Sequence, residues 1–284
     1  MKHAYLIIAH NEPIILQLLI SSLDDVRNDI YVHIDRKASF DTATLHTVKS
    51  KLCILPVHID ARWGDYSLVE VELLLFKWAY NEGPYGYYHL LSGVDLPIKS
   101  QDYIHKFCDE HQGMEFIGIA QHASQRELDW RTQHWFIYPR DFQSKNIFKK
   151  IIRAAFARIQ SLMRYRRTSL QVKKGSQWCS VTHNFVEYVL QKENQIFRAF
   201  NHTYCPDELF IQTLCWNSDF KKRIFDLNDE FEGCKRYIKW ENSILKPLAL
   251  HDVNDMVVSL RWFARKFSSE NMDVVFETLK RIKR

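Results

Sequence analysis

The stretch CPDELFIQTL, residues 205–214, places two adjacent carboxylates between a proline and an apolar run. Pro206 suits the first turn of a helix, and Glu208 would then lie in that turn, where unpaired N–H groups and the helix dipole favour an ionised carboxylate. An ionised carboxylate can accept a proton from a reacting group. Acidic residues also commonly occupy a helix N-terminus without a chemical role, so position alone leaves both interpretations open.

Three further polar residues stand where predicted strands end. His10 closes AYLIIAH, Asp35 closes DIYVHID, and Asp95 follows GYYHLLSG. In a mostly parallel α/β sheet, ligands bind in the crevice at the carboxyl ends of the strands, so these side chains are candidate ligand contacts. Each could instead be an ordinary turn residue that bonds its own backbone.

The elements that would position these residues alternate along the first 120 residues. Apolar runs of strand length are AYLIIAH, DIYVHID, LCILPV, GYYHLLSG and EFIGIA. Helical patterns lie between them at residues 14–23, in SLVEVELLLFKWAYNE and after Ser100. Ser67 is the predicted N-cap of the second helix, with Glu70 at the spacing of a capping box. This alternation predicts an α/β fold with a mostly parallel central sheet flanked by helices.

Length and composition indicate one globular domain over residues 1–284. The chain is 46% hydrophobic, and no linker, repeat or low-complexity segment interrupts it. No apolar run approaches the roughly 18 residues of a membrane span, and no signal peptide precedes the first strand. The six cysteines show neither a CxxC motif nor a Cys/His metal spacing, which favours reduced thiols in a cytoplasm.

Several motifs are absent from the sequence, and their absence disfavours common classes of protein. The chain has no GxGxxG or GxxxxGK[ST] phosphate loop, no nucleophilic elbow and no DxD-like pair of metal-binding carboxylates at a strand end. The net charge of +5 is compatible with an anionic partner, but no nucleic-acid-binding motif accompanies it. A phosphate on a small substrate therefore fits the charge better than nucleic acid does.

A basic segment at about residues 145–167 contains apolar residues at near-helical spacing, interleaved with cations. The apolar residues are Ile147, Phe148, Ile151, Ile152, Phe156, Ile159, Leu162 and Met163. This pattern predicts an amphipathic helix. One interpretation is a helix packed on the domain with a solvated basic face. The other is a helix that docks on an anionic membrane surface bearing a lipid-linked acceptor.

Seven blocks occur in a fixed order: AYLIIAHNEP, NDIYVHIDRKA, WGDYSLVEVELLLFKWA, GYYHLLSGVDLPIKS, KGSQWCSVTHNFVEYVL, CPDELFIQTL and WFARKF. Together they resemble the core-2/I-branching β-1,6-N-acetylglucosaminyltransferase family, which also contains the peptide O-xylosyltransferases. The resemblance extends from Ala4 to Phe267, with a divergent middle between about Gln121 and Lys173. An ordered run of seven such blocks is very hard to obtain by chance.

This resemblance implies a GT-A-type nucleotide-sugar transferase fold and an inverting transfer of a sugar from a UDP-sugar to an acceptor hydroxyl. It also implies that no metal or other cofactor is needed, in agreement with the missing DxD pair. The expected donor is UDP-GlcNAc, with UDP-xylose as the alternative, and the expected acceptor is a glycan or lipid-linked saccharide. Animal members carry a membrane anchor, whereas this chain resembles a soluble bacterial member in polysaccharide biosynthesis, cytoplasmic or peripheral on the inner membrane surface.

The resemblance assigns the catalytic base to Glu208, the final residue of the PDE motif, which would take the acceptor's proton opposite the leaving diphosphate. Asp207 would hold the turn by accepting backbone N–H bonds. Lys246 and Lys266 would neutralise the charge that develops on the β-phosphate of UDP, with Arg265 as a competing cation. The residues around Lys246 lack the small-residue-His-Pro pattern common in the family, which weakens that assignment.

Further residues are expected around the donor and the acceptor. The uridine and donor contacts implied by the resemblance are Ile8, Ala9, His10, Asp35, Trp63, Asp95, Ser176 and Trp178. Gly64 would shape the same wall, and Asp65 stands where relatives often carry a second glycine. Glu115 and Trp240 occupy positions where relatives hold an acceptor sugar by carboxylate bonding and ring stacking. Trp240 could equally pack in the core.

Two other classes of function stay open. A catalytically inactive sugar-nucleotide-binding module would be expected to have lost the PDE glutamate or the terminal lysine, and both Glu208 and Lys266 are present. A surface-interaction protein would use the basic helix and leave the strand-end cleft empty. Thermal stabilisation by UDP separates this last class from the other two.

Overall fold

The computed structural model describes residues 1–163, 167–241 and 244–282. The strands are β1 (His3–Ala9), β2 (Asn28–Ile34), β3 (Lys51–Ile54), β4 (Tyr87–Ser92), β5 (Leu96–Pro97), β6 (Ser180–Thr182), β7 (Arg236–Ile238), β8 (Trp240–Glu241), β9 (Ile244–Leu245) and β10 (Phe263–Arg265). The α-helices are α1 (Pro13–Leu23), α2 (Ser67–Glu82), α3 (Gln101–Glu110), α4 (Gln125–Thr132), α5 (Ile147–Leu162), α6 (His183–Gln191), α7 (Glu193–Phe200), α8 (Phe210–Trp216), α9 (Glu230–Gly233), α10 (Val253–Val258) and α11 (Met272–Ile282).

The described residues form a central five-stranded sheet in the order β3-β2-β1-β4-β6. Strands β3, β2, β1 and β4 run parallel to one another, and β6 pairs antiparallel with β4 at the edge. Every residue of β1, β2 and β4 is buried, as expected for strands covered on both faces. The predicted α/β class with a mostly parallel sheet is therefore confirmed.

Apolar side chains from successive strand residues enter two core layers. Leu6 of β1 packs in the layer that contains the apolar faces of α2 and α6. Its neighbour Ile7 packs in the other layer, with residues of α1 and α11. Successive side chains of a strand point to opposite faces, so this alternation is what a sheet with helices on both sides requires. With both faces covered, the ends of the strands are where ligands reach such a sheet.

The start of α2 differs from the prediction that Ser67 is its N-cap. The N-cap is Tyr66, whose backbone is helical and whose side chain makes no capping bond. Asp65 Oδ1 accepts the N–H of Ser67 at 2.8 Å, which satisfies one of the unpaired donors at the helix start. Gly64 has φ of 87°, in the left-handed region that glycine tolerates. The turn therefore needs its glycine at Gly64, and the following position accepts an aspartate.

The segment EFIGIA, residues 115–120, is predicted as a strand but forms only isolated bridges among the described residues. Glu115 bridges to Ile224 and Phe116 bridges to Ser180. Further along, the N–H of Ala120 bonds to the carbonyl of Lys174 at 2.8 Å. The backbone partners of this run come from several separate segments that are distant in sequence, so an apolar run of strand length does not become a sheet strand here.

A small sheet and a hairpin carry the later residues expected in the site. Among the described residues, β10 lies between β5 and β7, and β8 pairs with β9. Arg265 is the last residue of β10, Trp240 is the first residue of β8, and Lys246 follows β9. The N–H of Leu248 bonds to the carbonyl of Lys266 at 2.9 Å, so the segments that contain the two predicted lysines lie side by side.

Helix α5 confirms that the basic segment is helical, although α5 is shorter than the predicted range 145–167. Asn146 is its N-cap, and Asn146 Oδ1 accepts the N–H of Phe148 at 2.9 Å. Residues 164–166 of the predicted segment lie outside the described residues. All of α5 is described, and only Ala157 and Gln160 are buried within it. Its large apolar side chains are exposed, so α5 contacts the domain through Ala157 and polar side chains, and not through the apolar face that the first interpretation requires.

Two expectations about the chain as a whole can be compared with the structure. No helix among the described residues has the length and apolar character needed to cross a bilayer. All six cysteines lie within the described residues and are free thiols, five of them buried. No disulfide joins them in this structure.

Candidate active site

A cleft of about 430 Å³ contains six of the fourteen residues that the sequence places in the site. The predicted residues in its wall are Trp63, Ser176, Trp178, Glu208, Trp240 and Arg265. Residues in its wall that were not predicted to bind substrate include Lys174, Gly175, Asp207 and Glu230. The cleft thus brings together side chains from segments more than 200 residues apart in sequence.

The PDE motif forms a 3₁₀ turn, Pro206–Glu208, and not the first turn of α8, which begins at Phe210. Cys205 precedes the turn with φ of 48°, and the N–H of Leu209 closes it on the Pro206 carbonyl at 3.0 Å. The carbonyl of Glu208 accepts the N–H of Gly175 at 2.9 Å. These bonds fix the direction in which the Glu208 side chain leaves the backbone.

The Glu208 carboxylate is held by cations on one oxygen. Arg131 Nη1 donates to Glu208 Oε2 at 3.0 Å, and Lys174 Nζ lies 3.7 Å from the same oxygen. Arg131 is fixed in turn by Glu127, 2.8 Å away on the same helix. The Glu208 side chain is 34% exposed, and its Oε1 has no hydrogen-bond partner among the described residues. One oxygen is therefore anchored while the other is free to accept a proton.

Asp207 and Glu72 place two further carboxyl groups behind Glu208. Burial, followed by the charge of Glu208, raises the pKa of Asp207 to about 7. Burial, followed by the charge of Asp207, raises the pKa of Glu72 well above its usual range. Glu72 Oε1 accepts a hydrogen bond from Gln177 at 2.8 Å. Both carboxyls are therefore disposed to hold a proton at neutral pH, which limits the negative charge packed behind the cleft.

The predicted role of Asp207 in the turn is not seen. No hydrogen bond joins its side chain to another residue of the described chain, and its buried Oδ1 has no partner. The turn is held by backbone bonds instead, including the bond from Leu209 to Pro206. Asp207 therefore does not hold the turn by accepting the N–H groups of neighbouring residues.

Arg265 is a second cation in the cleft wall, in addition to Lys174. Its guanidinium lies 4.3 Å from the centre of the Trp178 ring, and its Nε is 3.5 Å from Asp95 Oδ1. Burial lowers the pKa of Arg265, and the charge of Asp95 opposes that shift. Ring and carboxylate hold the guanidinium in one orientation, so Arg265 is a preformed donor for an anionic group.

Asp95 lies behind this guanidinium and is not part of the cleft wall. It is buried, and Asp95 Oδ2 accepts the N–H of Ser92 at 2.9 Å. Burial raises its pKa, while the charge of Arg265 opposes that effect. The expectation that Asp95 faces the transferred sugar is therefore wrong for this structure. Asp95, which lies between β4 and β5 in the chain, is instead a buried partner that orients Arg265.

Lys266 and Lys246 lie next to the cleft and outside its immediate wall. Lys266 follows Arg265, and its charge lowers the pKa of His10, an effect smaller than that of His10's own burial. Lys246 is exposed and follows Leu245, which does line the cleft. Both lysines are therefore neighbours in sequence of residues that line the cleft, and their roles at a diphosphate remain predictions.

The carboxyl ends of β1 and β2 are joined at Asp35. The N–H of Asp35 bonds to the carbonyl of Ala9 at 2.8 Å. Asp35 Oδ1 accepts the N–H of Lys37 at 2.7 Å, and Oδ2 accepts the N–H of Ala61 at 3.0 Å. Ile8 and Ala9 are buried, whereas His10 is exposed. Within this group His10 offers the accessible side chain, and Asp35 organises the loop around it.

The two predicted acceptor residues have different surroundings. Trp240 lines the cleft and is half-exposed, so one face of its indole is available for stacking on a sugar. Glu115 is fully buried and accepts hydrogen bonds from Thr182, at 2.9 Å from its N–H and at 2.5 Å from its hydroxyl. Thr182 is the N-cap of α6. The expectation that Glu115 binds an acceptor is therefore wrong, because this carboxylate stabilises the start of a helix.

Sequence reasoning missed three charged residues of the site. Arg131 belongs to the divergent middle of the chain and meets Glu208 across 77 residues of sequence. Lys174 stands directly before the GSQW stretch that was assigned to the donor. The family block that contains Lys174 was identified, but Lys174 itself was not predicted to be a site residue. Glu230 opens the short helix α9, and burial, opposed by the charge of Lys174, raises its pKa. For Arg131 and Glu230 the sequence offers no local signal.

Within the part of the chain that the structure describes, the carboxylates that line this cleft do not come close enough together to form a group of three that could share an ion. Among the described residues, the one group of three His, Cys, Asp or Glu side chains close enough to share an ion is His3, His89 and Cys108, all buried. His89 Nε2 already shares a hydrogen bond with His3 Nδ1 at 3.0 Å. That group belongs to the core beneath the sheet, and its imidazoles are used in hydrogen bonds to each other.

A second depression, of about 480 Å³, surrounds Asp60 on the surface beyond Asp65. Asp60 is already paired, because it lies 2.8 Å from Arg62 and 2.8 Å from Lys37. Arg140 adds a further contact to Asp60 at 3.2 Å. Because its central carboxylate is already paired with cations of the protein, this depression is a weaker candidate than the cleft around Glu208.

Fold and cleft together define a class of protein: an α/β protein with a ligand cleft that presents a carboxylate with a free oxygen and a buried guanidinium. The chain belongs to the Core-2/I-Branching enzyme family, whose sequence model matches residues 3–259. This is a family of glycosyltransferases that includes xylosyltransferases. The family resemblance read from the seven blocks is confirmed, and the mostly parallel α/β sheet agrees with the GT-A-type fold expected for the family.

Several known proteins are similar to this chain. Xylosyltransferase 2 of Rattus norvegicus is 22% identical over 307 residues, which cover 97% of this chain and 33% of that protein. Xylosyltransferase oxt of Drosophila pseudoobscura pseudoobscura is 23% identical over 221 residues, 72% of this chain and 23% of that protein. The chain spans about a third or less of these curated relatives. Mouse xyloside xylosyltransferase 1 in its apo form matches with a TM-score of 0.39 at 11% identity, over 85% of this chain and 88% of that one.

Proposed function

We propose that this chain catalyses an inverting transfer of a sugar from a UDP-sugar to an acceptor hydroxyl. The observation that carries the proposal is the state of Glu208 in the cleft. Its Oε2 is anchored by Arg131, and its Oε1 has no partner among the described residues. Membership of a glycosyltransferase family supplies the reaction class in which such a carboxylate is needed.

In this reaction the acceptor oxygen attacks the anomeric carbon from the face opposite the leaving group. As the new C–O bond forms, the bond to the β-phosphate oxygen breaks, and its electron pair departs with UDP. The acceptor's hydroxyl proton passes to Glu208 Oε1 as its oxygen becomes bonded to carbon. Configuration at the anomeric carbon inverts, and the products are a β-linked saccharide and UDP.

Arg265 is the first candidate for stabilising the departing UDP, with Lys266 and Lys246 beside it. Its guanidinium is already oriented by Trp178 and Asp95, so little reorganisation is needed when charge grows on the β-phosphate. A guanidinium can also bind two phosphate oxygens at once, which a lysine cannot. We therefore propose Arg265, and not Lys246 or Lys266, as the main cation that stabilises the diphosphate.

On the acceptor side, Trp240 and Trp63 offer half-exposed rings at the wall of the cleft. A sugar ring stacked on either indole would bury apolar C–H faces while its hydroxyls stay hydrated. Glu208 lies in the same cleft, so a stacked acceptor could present a hydroxyl to Oε1. Glu115 takes no part in this scheme.

We further propose that the reaction needs no metal ion. The sequence lacks a DxD-like pair, and cationic side chains at the cleft supply positive charge where a metal would otherwise neutralise the diphosphate. GlcNAc is the proposed transferred sugar. Xylose is the second candidate, because the similar proteins reported above are named xylosyltransferases.

The test is a donor screen that measures UDP release, with UDP-GlcNAc and UDP-xylose offered to a panel of saccharide acceptors. We expect acceptor-dependent release from one of the two donors and a β-linked product. Thermal stabilisation by UDP, without release from any donor, would replace the proposal with a sugar-nucleotide-binding module. Absence of both effects would instead favour a surface-interaction protein.

A further inference from the structure

Helix α5 turns its apolar side chains toward solvent. Phe148 is 72% exposed, Ile151 58% and Leu162 83%. Ile147, Ile152, Ile159 and Met163 are also exposed. We call the exposed surface formed by Ile147, Phe148, Ile151, Ile152, Ile159, Leu162 and Met163 the apolar face of α5. A surface helix of a globular protein normally directs such residues to the core, so α5 is reversed with respect to the usual arrangement.

Polar side chains attach the opposite side of α5 to the protein. Lys149 Nζ donates to Asp141 Oδ2 at 2.6 Å, and Arg153 Nη2 donates to the Asp141 carbonyl at 3.0 Å. Gln160 accepts the N–H of Trp135 at 2.8 Å and donates to its carbonyl at 3.0 Å. Because these bonds bind the inner side at both ends of the helix, the outward direction of the apolar face is fixed.

Positive charge borders the apolar face. Lys145, Lys150 and Arg158 are exposed, and residues 145–163 contain no acidic residue. The acidic group that meets this helix, Asp141, is already paired with Lys149. Cations beside large exposed apolar side chains are the features that bind an interfacial helix to anionic lipid.

We propose that α5 docks in the plane of an anionic lipid bilayer, with its apolar face in the boundary between headgroups and acyl chains. Lys145, Lys150 and Arg158 would then meet lipid phosphates and carboxylates, to which each basic residue is electrostatically attracted. The helix runs from Ile147 to Leu162 and includes cations, so it is too short and too polar to span a bilayer.

Charge argues against a second copy of this chain as the occupant. A symmetric contact through the apolar face would bring Lys150 and Arg158 of two chains together, with no acidic residue in segment 145–163 to pair with them. An anionic bilayer both covers the apolar side chains and complements the cations. Lipid therefore satisfies both features of the surface.

The docked helix would bring the active-site cleft close to the membrane. Trp63 lines the cleft and also a neighbouring depression that contains Gln143 and Ser144. These two residues lead directly into α5. This step rests on the proposed function: an acceptor carried by a membrane lipid would meet the cleft where α5 holds the protein on the bilayer.

Vesicle co-sedimentation of the full chain tests the proposal, with phosphatidylcholine vesicles that contain or lack phosphatidylserine. We expect binding that requires phosphatidylserine and weakens at high salt. The triple variant Phe148→Ser, Ile151→Ser, Leu162→Ser should bind about tenfold or more weakly, because its inserted apolar area is lost. The double variant Lys150→Gln, Arg158→Gln should lose several-fold in affinity for the anionic vesicles only.

A matched control carries Val48→Ser, Val258→Ser and Phe276→Ser, which remove exposed apolar side chains outside α5. This control should bind vesicles like the wild type, and a cooperative thermal unfolding transition close to that of the wild type should show that each variant remains folded. Equal loss in control and α5 triple variants overturns the proposal. The proposal is also overturned if the wild-type protein does not bind vesicles. It is overturned as well if the wild type is a dimer and the α5 triple variant is a monomer. Because vesicle binding needs no turnover, failure of the proposed transfer would leave this result standing, and the reverse also holds.

Discussion

The carboxyl groups in and around the cleft differ in burial, in ion pairing and in pKa because their surroundings differ. Glu208 has a cation at one oxygen and a free second oxygen, whereas Asp207 is buried with a pKa raised to about 7. Glu72 is buried as well, and burial, followed by the charge of Asp207, raises its pKa well above its usual range. A single exposed carboxylate in front of two proton-holding carboxyls is an arrangement suited to one base and not to a dyad.

The bond from Arg131 to Glu208 leads to the first prediction. Arg131→Gln removes the charged donor at 3.0 Å and leaves Lys174 at 3.7 Å. We expect kcat to fall about tenfold or more, since Glu208 loses its orientation, with a smaller change in the KM for the donor. Arg131→Lys should recover part of the loss. A raised KM with unchanged kcat would show instead that Arg131 binds substrate.

Glu115 leads to a prediction about pH and stability. Burial raises the pKa of Glu115 to about 7, above the ordinary pKa that this group has in the unfolded chain. Between these two pKa values the folded state holds a proton that the unfolded state has released. The free energy of unfolding contributed by this group therefore falls as pH rises from about 5 to about 7, by about 1 kcal/mol per pH unit.

The substitution Glu115→Gln should remove this pH dependence, because an amide does not titrate and its oxygen can still accept a bond from Thr182. Urea unfolding of both proteins at a series of pH values measures the difference in slope. Parallel stability curves for the variant and the wild type across this window would contradict the assignment of the titration to Glu115.

At the scale of secondary-structure elements, the site depends on loops that are tightly packed against one another. The N–H of Gly175 supports Glu208, and Gly175 itself packs on Gly118. The two segments come from the EFIGIA run and the GSQW stretch, which the structure joins at Ala120 and Lys174. The position of the proposed base is therefore fixed by contacts between loops and not by one helix.

Gly175→Ala tests this packing. A Cβ at residue 175 would lie 1.8 Å from the Gly118 carbonyl oxygen, so backbone must move. We expect the free energy of unfolding to fall by about 3 kcal/mol or more, together with a loss of turnover, because the Glu208 turn shifts. Gly113→Ala is the matched control: no atom lies within 4 Å of its added Cβ, and only its φ of 86° opposes alanine. Its cost should be about 1 kcal/mol, measured by the same denaturant titration. Equal costs would contradict the packing argument.

Strands and helices with a clear period were predictable from sequence, while loop-built elements were not. β1, β2 and β4 are continuous apolar runs with parallel neighbours, so their local pattern and their final structure agree. EFIGIA has the same local pattern, but its backbone bonds go to Lys174, Ser180 and Arg223, which lie in three separate segments distant in sequence. The 3₁₀ turn of the PDE motif likewise replaces a predicted helix start, because Leu209 closes a tighter turn on Pro206.

For the molecule as a whole, the residues of the site were predicted best where the family motifs supply them. Glu208, Arg265, Trp178 and Trp240 do meet in one cleft. Asp95 and Glu115 were misplaced because a strand-end carboxylate can serve either a ligand or a buried partner, and sequence does not show which. Arg131 was missed because its role exists only through a contact between distant segments.

Metal independence is a prediction about the whole catalytic centre. Cationic side chains at and beside the cleft, led by Arg265, are proposed to do what a divalent ion would do at the diphosphate. We therefore expect full turnover in excess EDTA, measured by UDP release. Activity that EDTA abolishes and Mn²⁺ restores would show that the diphosphate is held by metal.

The most direct measurement of the central claim compares Glu208→Gln with Glu127→Gln. Glu127 contacts the same two cations, Arg131 and Lys174, but is not part of the cleft wall, so it controls for lost ion pairing. We predict that Glu208→Gln keeps thermal stabilisation by UDP and loses about 100-fold or more in turnover, as expected when a general base is removed. Glu127→Gln should lose about tenfold at most. Turnover by Glu208→Gln above about a tenth of the wild-type rate would contradict its assignment as the base.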